Sequence, residues 1–189
     1  MKNDVFPSGT KGRGIYLPLL AGPCHLESAD ILDRLVELVP DEGTYFELGA
    51  WTASTACYVA DHRPKATVIA ADRFPDPLRA MLALANVAHR PNVRLWRGPA
   101  QSLLRLCRPG VFDVAFIDGD HHGPAVARDL RLVGRKMKPS GKICCHDYEA
   151  PKHPGVTDSV NEFCGQTEWC VSGRCWSLVV LGRSDAGAG

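Results

Sequence analysis

The chain lacks any apolar run approaching the roughly 20 residues that a bilayer-spanning helix requires. No export signal is expected either. Met1 to Thr10 carries Lys2 but no apolar stretch ending in a small-residue cleavage site, and Leu17 to Gly22 is too short to be a signal core. These absences predict a cytoplasmic protein with no membrane contact. Charge of one sign is missing too. Against 22 Lys and Arg stand 21 Asp and Glu, a net charge of +1. That balance gives no global electrostatic case for nucleic acid or an anionic surface. No Cys-x-x-Cys pair exists among the eight cysteines, which speaks against a zinc site. Cys57, Cys107, Cys144 and Cys145 lie in apolar surroundings and read as small buried hydrophobes. The doublet Cys144-Cys145 cannot present both thiols on one face of a strand. Cys170 and Cys175 flank a predicted turn at Ser172-Gly173 and could meet across a hairpin, but a reducing cytosol disfavours a bridge. Repeats, low-complexity tracts and linkers are absent as well, so one domain is expected.

What is present is an alternation of helix-like and strand-like segments. Residues 28–39 carry Ile31, Leu32, Leu35, Val36 and Leu38 at helical spacing. Five short apolar runs read as strands: 44–48, 67–71, 93–96, 112–117 and 142–145. Helical patterns at 54–61, 77–88, 101–107 and 124–137 separate them, and another follows at 156–164. Strands joined through helices call for right-handed crossovers and a mainly parallel sheet. Two closing runs, 168–171 and 175–181, are joined too tightly for a crossover and should form an antiparallel hairpin. The predicted fold is a doubly wound, Rossmann-like α/β domain with seven strands. It should span residues 28–182, preceded by a partly flexible extension (1–27) and followed by a disordered tail (183–189).

In open sheets of this kind, ligands sit at the carboxyl ends of the strands. Those ends carry Glu47, Gly49, Asp72, Asp118, Asp120, His146 and Asp147. The first strand–helix turn, Gly49-Ala50-Trp51-Thr52-Ala53-Ser54, fails the Gly-x-Gly-x-x-Gly dinucleotide fingerprint, with Trp51 and Ser54 in the later glycine positions. Glu47 would repel a pyrophosphate but suits an amine or a sulfonium, and S-adenosylmethionine carries both. Asp72 ends the second strand, where a carboxylate can accept both ribose hydroxyls. The plain alternative for Asp72 is a helix N-cap. Gly49 should have a backbone role, so that Gly49→Val abolishes cofactor binding while leaving the chain folded.

The segment Phe46-Glu47-Leu48-Gly49-Ala50-Trp51-Thr52 resembles the first motif of class I methyltransferases. Val114 to His121, Asp129-Leu130 and Lys138 to Tyr148 are similar to the branch containing macrocin O-methyltransferase and cephalosporin-hydroxylase-like proteins, as is Pro154-Gly155-Val156. The resemblance implies S-adenosylmethionine as cofactor, bordered by Glu47, Gly49, Ala50, Trp51, Asp72 and Asp118. It further implies O-methylation of a small-molecule hydroxyl on a sugar, a phenol or a natural product. By analogy with metal-dependent sugar methyltransferases, Asp118, His146 and Asp147 would hold Mg²⁺ or Mn²⁺. His121, three positions after Asp118, would be the general base, making His121 and Asp118 the catalytic pair. Those relatives have two acidic residues where this chain has His146-Asp147, and a histidine suits Mn²⁺ better than Mg²⁺ or only donates a hydrogen bond. His89, His122 and His153 read as surface residues.

Rival readings are a hydroxylase- or hydrolase-like enzyme and a non-catalytic S-adenosylmethionine-binding protein. No Gly-x-Ser-x-Gly elbow supports a serine triad, and no Asn/Asp-Pro-Pro-Tyr motif supports nucleic-acid methylation. With so short a head, either a small acceptor lies in an open cleft or a second copy of the chain closes the site.

Overall fold

The central strands set the architecture because their side chains are buried on both faces, the mark of a parallel sheet covered by helices on each side. A computed structural model describes residues 28–184. The expectations of a flexible head over 1–27 and a disordered end beyond 184 lie outside the described residues. The order is α1 (Ala29–Leu38), β1 (Thr44–Leu48), α2 (Ser54–His62), β2 (Thr67–Asp72), α3 (Pro77–Val87), β3 (Val93–Arg97) and α4 (Ala100–Leu106). It continues with β4 (Phe112–Ile117), α5 (Gly123–Gly134), β5 (Met137–Cys145), α6 (Pro154–Gln166), β6 (Trp169–Cys175) and β7 (Leu178–Arg183).

The seven strands lie in the order β3-β2-β1-β4-β5-β7-β6. β1 through β5 are parallel, and β7 pairs antiparallel with both β5 and β6. This is the expected doubly wound sheet with its closing hairpin. One face packs Tyr45, Val68, Phe116 and Cys144 beneath α1, α2 and α3. The other packs Phe46, Leu48, Ala115 and Cys145 against α4, α5 and α6. The period of two along β5 thus sends the adjacent thiols Cys144 and Cys145 into opposite cores. Burial pushes the Cys144 thiol up to about 12 and the Cys145 thiol well above its ordinary value, so both stay protonated. Among the described residues no helix is long and apolar enough to cross a membrane.

Several local expectations need correction. Ser172-Gly173 is not a turn. The pairs Val171–Leu181 and Gly173–Val180 leave Ser172 as an extra residue in β6, a bulge that a Ser-Gly dipeptide accommodates as readily as a turn. The reversal is the two-residue loop Trp176-Ser177 between the paired Cys175 and Leu178. Cys170 and Cys175 therefore share one strand and cannot face each other. Cys107 is only half-buried. β5 begins at Met137, before Pro139-Ser140-Gly141, because the irregular register between Phe112 and Val114 absorbs those residues. β7 runs to Arg183, whose Nε donates to Glu168 Oε1 at 3.0 Å, so the sheet passes the expected boundary at 182.

One buried ion pair joins α2 to the turn before β3. Arg90 Nε and Nη2 donate to the two Asp61 oxygens at 2.9 and 2.8 Å, with side chains 7% and 10% exposed. Removing one partner strands a buried charge. Asp61→Ala should therefore lower unfolding free energy by about 3–5 kcal/mol, read by denaturant titration, while Asp61→Leu with Arg90→Met recovers most of the loss.

Candidate functional site

The carboxyl ends of five parallel strands are stitched together by backbone hydrogen bonds beyond the regular ladders. Gly98 N donates to Asp72 O at 2.8 Å, Gly49 N to Ala71 O at 2.9 Å, Asp118 N to Leu48 O at 2.9 Å and His146 N to Ile117 O at 3.1 Å. This brings the loops that follow β1, β2, β4 and β5 into one row at the switch point between β1 and β4.

The loop after β1 alternates left-handed residues: Gly49 at φ 92°, Trp51 at 51° and Ala53 at 58°. Asp72 anchors it, since Oδ2 accepts from Trp51 N at 2.9 Å and Oδ1 from Phe74 N at 2.8 Å. Asp72 is not the N-cap of α3; Asp76 is, with Oδ1 accepting from Leu78 N at 2.9 Å. Each Asp72 oxygen has capacity to accept a further hydrogen bond, and the residue borders a cleft.

Two clefts open here. The first, of about 290 Å³, is bordered by Asp72, Asp118, Asp120, Gln101 and Asp129. The second, of about 590 Å³, is bordered by His121, His146, Asp147, His153, Trp176 and Ser177. Gly49, Trp51, Asp118 and Gly119 line both. Two residues expected at the cofactor do not border either cleft. Glu47 is 2% exposed and accepts from Tyr45 Oη at 3.1 Å, because strand alternation turns it with Tyr45 toward the face covered by α1–α3. Ala50 is buried, and its N–H is engaged by Ala71 O at 3.2 Å.

On the floor of the second cleft, Asp118, His146 and Asp147 converge, and His121, Asp147 and His153 form an overlapping group. His146 Nδ1 lies 3.4 Å from both Asp118 Oδ1 and Asp147 Oδ2. Its other nitrogen is 3.1 Å from Ser177 Oγ. His121 Nε2 lies 2.8 Å from Asp147 Oδ2 and 3.8 Å from Asp118 Oδ1. Neither contact has hydrogen-bond geometry, so Nε2 is a buried polar atom without a hydrogen-bond partner among the described residues. Burial opposes ionisation of Asp118, but contacts from His121 and His146 outweigh it and hold its carboxyl at about 2. Asp118 in turn raises the His121 imidazole above its ordinary value, with burial opposing and Asp147 adding to the rise.

His153 is not an idle surface residue. It stacks on His121 with centroids 4.0 Å apart. Gln101 Nε2 donates to Asp129 Oδ1 at 2.7 Å on the wall of the first cleft, where burial raises the Asp129 carboxyl despite that bond. Trp176, Ser177 and Gln101 carry no motif signal, since they reach the clefts only through tertiary packing.

Gly49 does more than admit a ligand. A Cβ there would lie 2.0 Å from the Asp118 carbonyl oxygen, and one at Gly119 would lie 2.6 Å from Leu48 Cδ2. In the expected Gly49→Val variant the Asp118 backbone would also have to shift, so its effect would reach beyond ligand approach. Gly49→Ala should cost about 1–3 kcal/mol for the strained φ alone, plus the displacement of Asp118. A lowered melting temperature would register both.

The methyltransferase domain family model matches residues 45–148, more than half of the chain. No curated protein matches in sequence. Solved structures share the fold. A putative O-methyltransferase from Klebsiella pneumoniae aligns at TM-score 0.67 and 22% identity, covering 87% of this chain and 84% of that one. A putative caffeoyl-CoA O-methyltransferase from Staphylococcus aureus aligns at TM-score 0.70 and 14% identity, covering 84% and 85%. Precorrin-6y C5,15-methyltransferase from Geobacter metallireducens aligns at TM-score 0.64 and 17% identity, covering 82% and 87%. With its first motif at the β1–α2 turn and its two clefts meeting at Gly49 and Asp118, the chain belongs to the methyltransferase domain family of class I S-adenosylmethionine-dependent methyltransferases.

Proposed function

We propose that this protein O-methylates a hydroxyl group of a small molecule, with the cofactor in the first cleft and the acceptor in the second. The observation that carries the reading is the junction of the two clefts at Gly49, Asp118 and Gly119. On one side stands the ribose-type carboxylate Asp72, and on the other an imidazole–carboxylate cluster. S-adenosylmethionine supplies an activated methyl group with an excellent leaving group. The residues of this chain must therefore orient the two reactants and take up one proton.

Asp72 offers its remaining lone pairs to the ribose hydroxyls while its other contacts hold the β1 loop. Glu47, buried and bonded to Tyr45 Oη, supports the β1 end from below. His121 is the general base. Its Nε2 is turned onto Asp147 and Asp118, so Nδ1 is the nitrogen left for the acceptor proton, and the two carboxylates stabilise the imidazolium that forms. As the new C–O bond forms and the S–C bond breaks, the hydroxyl proton passes to His121.

A divalent cation is the second reading, favoured by the convergence of donor atoms from Asp118, His146 and Asp147. Donors about 3.0–3.4 Å apart match the edge of a shell with bonds of about 2.1 Å. The Ser177 contact orients His146 as an outer-shell partner would. Two carboxylates and one imidazole suit Mn²⁺ better than Mg²⁺. A cation held there would make a bound hydroxyl more acidic. The motifs at Val114–His121 and Lys138–Tyr148 favour the macrocin-like branch and hence a sugar or phenolic acceptor.

Calorimetry with S-adenosylhomocysteine tests the cofactor cleft. Asp72→Asn should weaken binding by about 1.5–3 kcal/mol, and unchanged affinity would refute the ribose contact. Acceptor screening by S-adenosylhomocysteine release tests the chemistry. His121→Ala should lower turnover by about 100-fold or more with cofactor affinity kept, whereas undiminished turnover would remove it as base. In excess chelator, lost activity restored by Mn²⁺ would support the cation; full activity would leave His121 acting alone.

A further inference from the structure

Trp176 occupies a position that neither folding preference nor burial explains. It opens the two-residue β6–β7 turn at φ 53°, a left-handed conformation suited to Gly, Asn or Asp and unfavourable for a bulky side chain. The strain yields little burial, for the residue is 78% exposed. Among the described residues, the large exposed apolar side chains with positive φ are Trp51 and Trp176, and both line the second cleft. Leu78, Met81, Leu84, Leu106 and Val171 are exposed without that strain.

The two tryptophans differ in what they still offer. The Trp51 ring is capped by Arg79, whose guanidinium carbon lies 3.5 Å from the centroid. No ring or cation stacks on Trp176 among the described residues. It is nonetheless held firmly. Its Nε1 donates to Asp30 Oδ2 at 2.7 Å, which ties the turn to the first turn of α1. The next residue, Ser177, accepts from Tyr148 N at 2.9 Å through its carbonyl and meets His146 Nε2 at 3.1 Å through its hydroxyl. An exposed indole fixed at both ends, beside the His121–Asp147 pair, is a pre-organised surface.

We propose that Trp176, braced by Asp30, is the specificity-determining residue of the acceptor cleft, its indole being the platform on which the acceptor's ring stacks. The inference rests on the methyl-transfer reading and adds the shape of the acceptor: a hydroxyl borne on a six-membered ring with an apolar face. A phenolic ring and a sugar ring share that chemistry. An open-chain alcohol lacks it.

Protein saturated with S-adenosylhomocysteine is titrated by ligand-observed NMR with catechol, methyl glucoside and glycerol. One ring compound should bind clearly more tightly than glycerol; catechol would mark a phenolic acceptor and the glucoside a sugar. Trp176→Asn should weaken that binding on the order of tenfold, and Trp176→Phe should restore most of it. Asparagine tolerates the left-handed turn, so the melting temperature of Trp176→Asn should equal or exceed that of the wild type. A purely structural role would instead lower the melting temperature and leave ring binding alone. Equal ring binding in Trp176→Asn, glycerol binding as tightly as the rings, or no ring binding at all would overturn the platform. S-adenosylhomocysteine affinity should stay the same in all variants. Failure of the wild type to bind S-adenosylhomocysteine would count against the methyl-transfer reading itself, a distinct result.

Discussion

Gly49 and the Asp118–Gly119 backbone meet without room for a single extra carbon. The Cβ absent at Gly49 would lie 2.0 Å from Asp118 O, and the one absent at Gly119 would strike Leu48. The carboxyl ends of β1 and β4 can therefore close on each other, with Asp118 N bonded to Leu48 O. At this point the crossovers part to opposite faces of the sheet and leave a crevice. Both clefts share these residues, so one contact sets the distance between whatever lies in them.

Asp118 is also the electrostatic centre. His121 and His146 hold its carboxyl at about 2 although burial works the other way, and the same carboxylate raises His121. Asp147 answers His121 from the far side at 2.8 Å. Two carboxylates and two imidazoles thus share one small volume. They can share a single proton among them. The buried, poorly directed Nε2 of His121 shows that the side chains do not fully satisfy one another.

Backbone strain gathers at the same end of the sheet. The non-glycine residues with positive φ among those described are Trp51, Ala53, Phe74, Asp147, Glu149 and Trp176. The first three follow β1 and β2, the next two follow β5, and Trp176 sits beside the β5 end through the β5–β7 pairing. Such conformations cost about 1–3 kcal/mol each and persist where the surroundings over-determine them. Here the stitched strand ends and the Asp72, Asp30 and Ser177 contacts supply that determination.

The alternation of strands and helices, the residues at the strand ends and the failed dinucleotide fingerprint were legible in the sequence, because burial and turn chemistry act over a few neighbouring residues. Thr44–Leu48 and Phe112–Ile117 appear as their apolar patterns require. The family motif was equally local. Three matters were decided only by tertiary structure. Ser172-Gly173 became a bulge and Trp176-Ser177 the turn, since the register of β6 on β7 outweighs the local preference of a dipeptide. Glu47 was turned away from both clefts, because which face a strand residue occupies depends on the layers that cover it. His153, Gln101, Trp176 and Ser177 came to the site from the N-cap of α6, from α4 and from the hairpin. No spacing in the chain encodes such meetings, which arise only when separate elements pack against a common sheet.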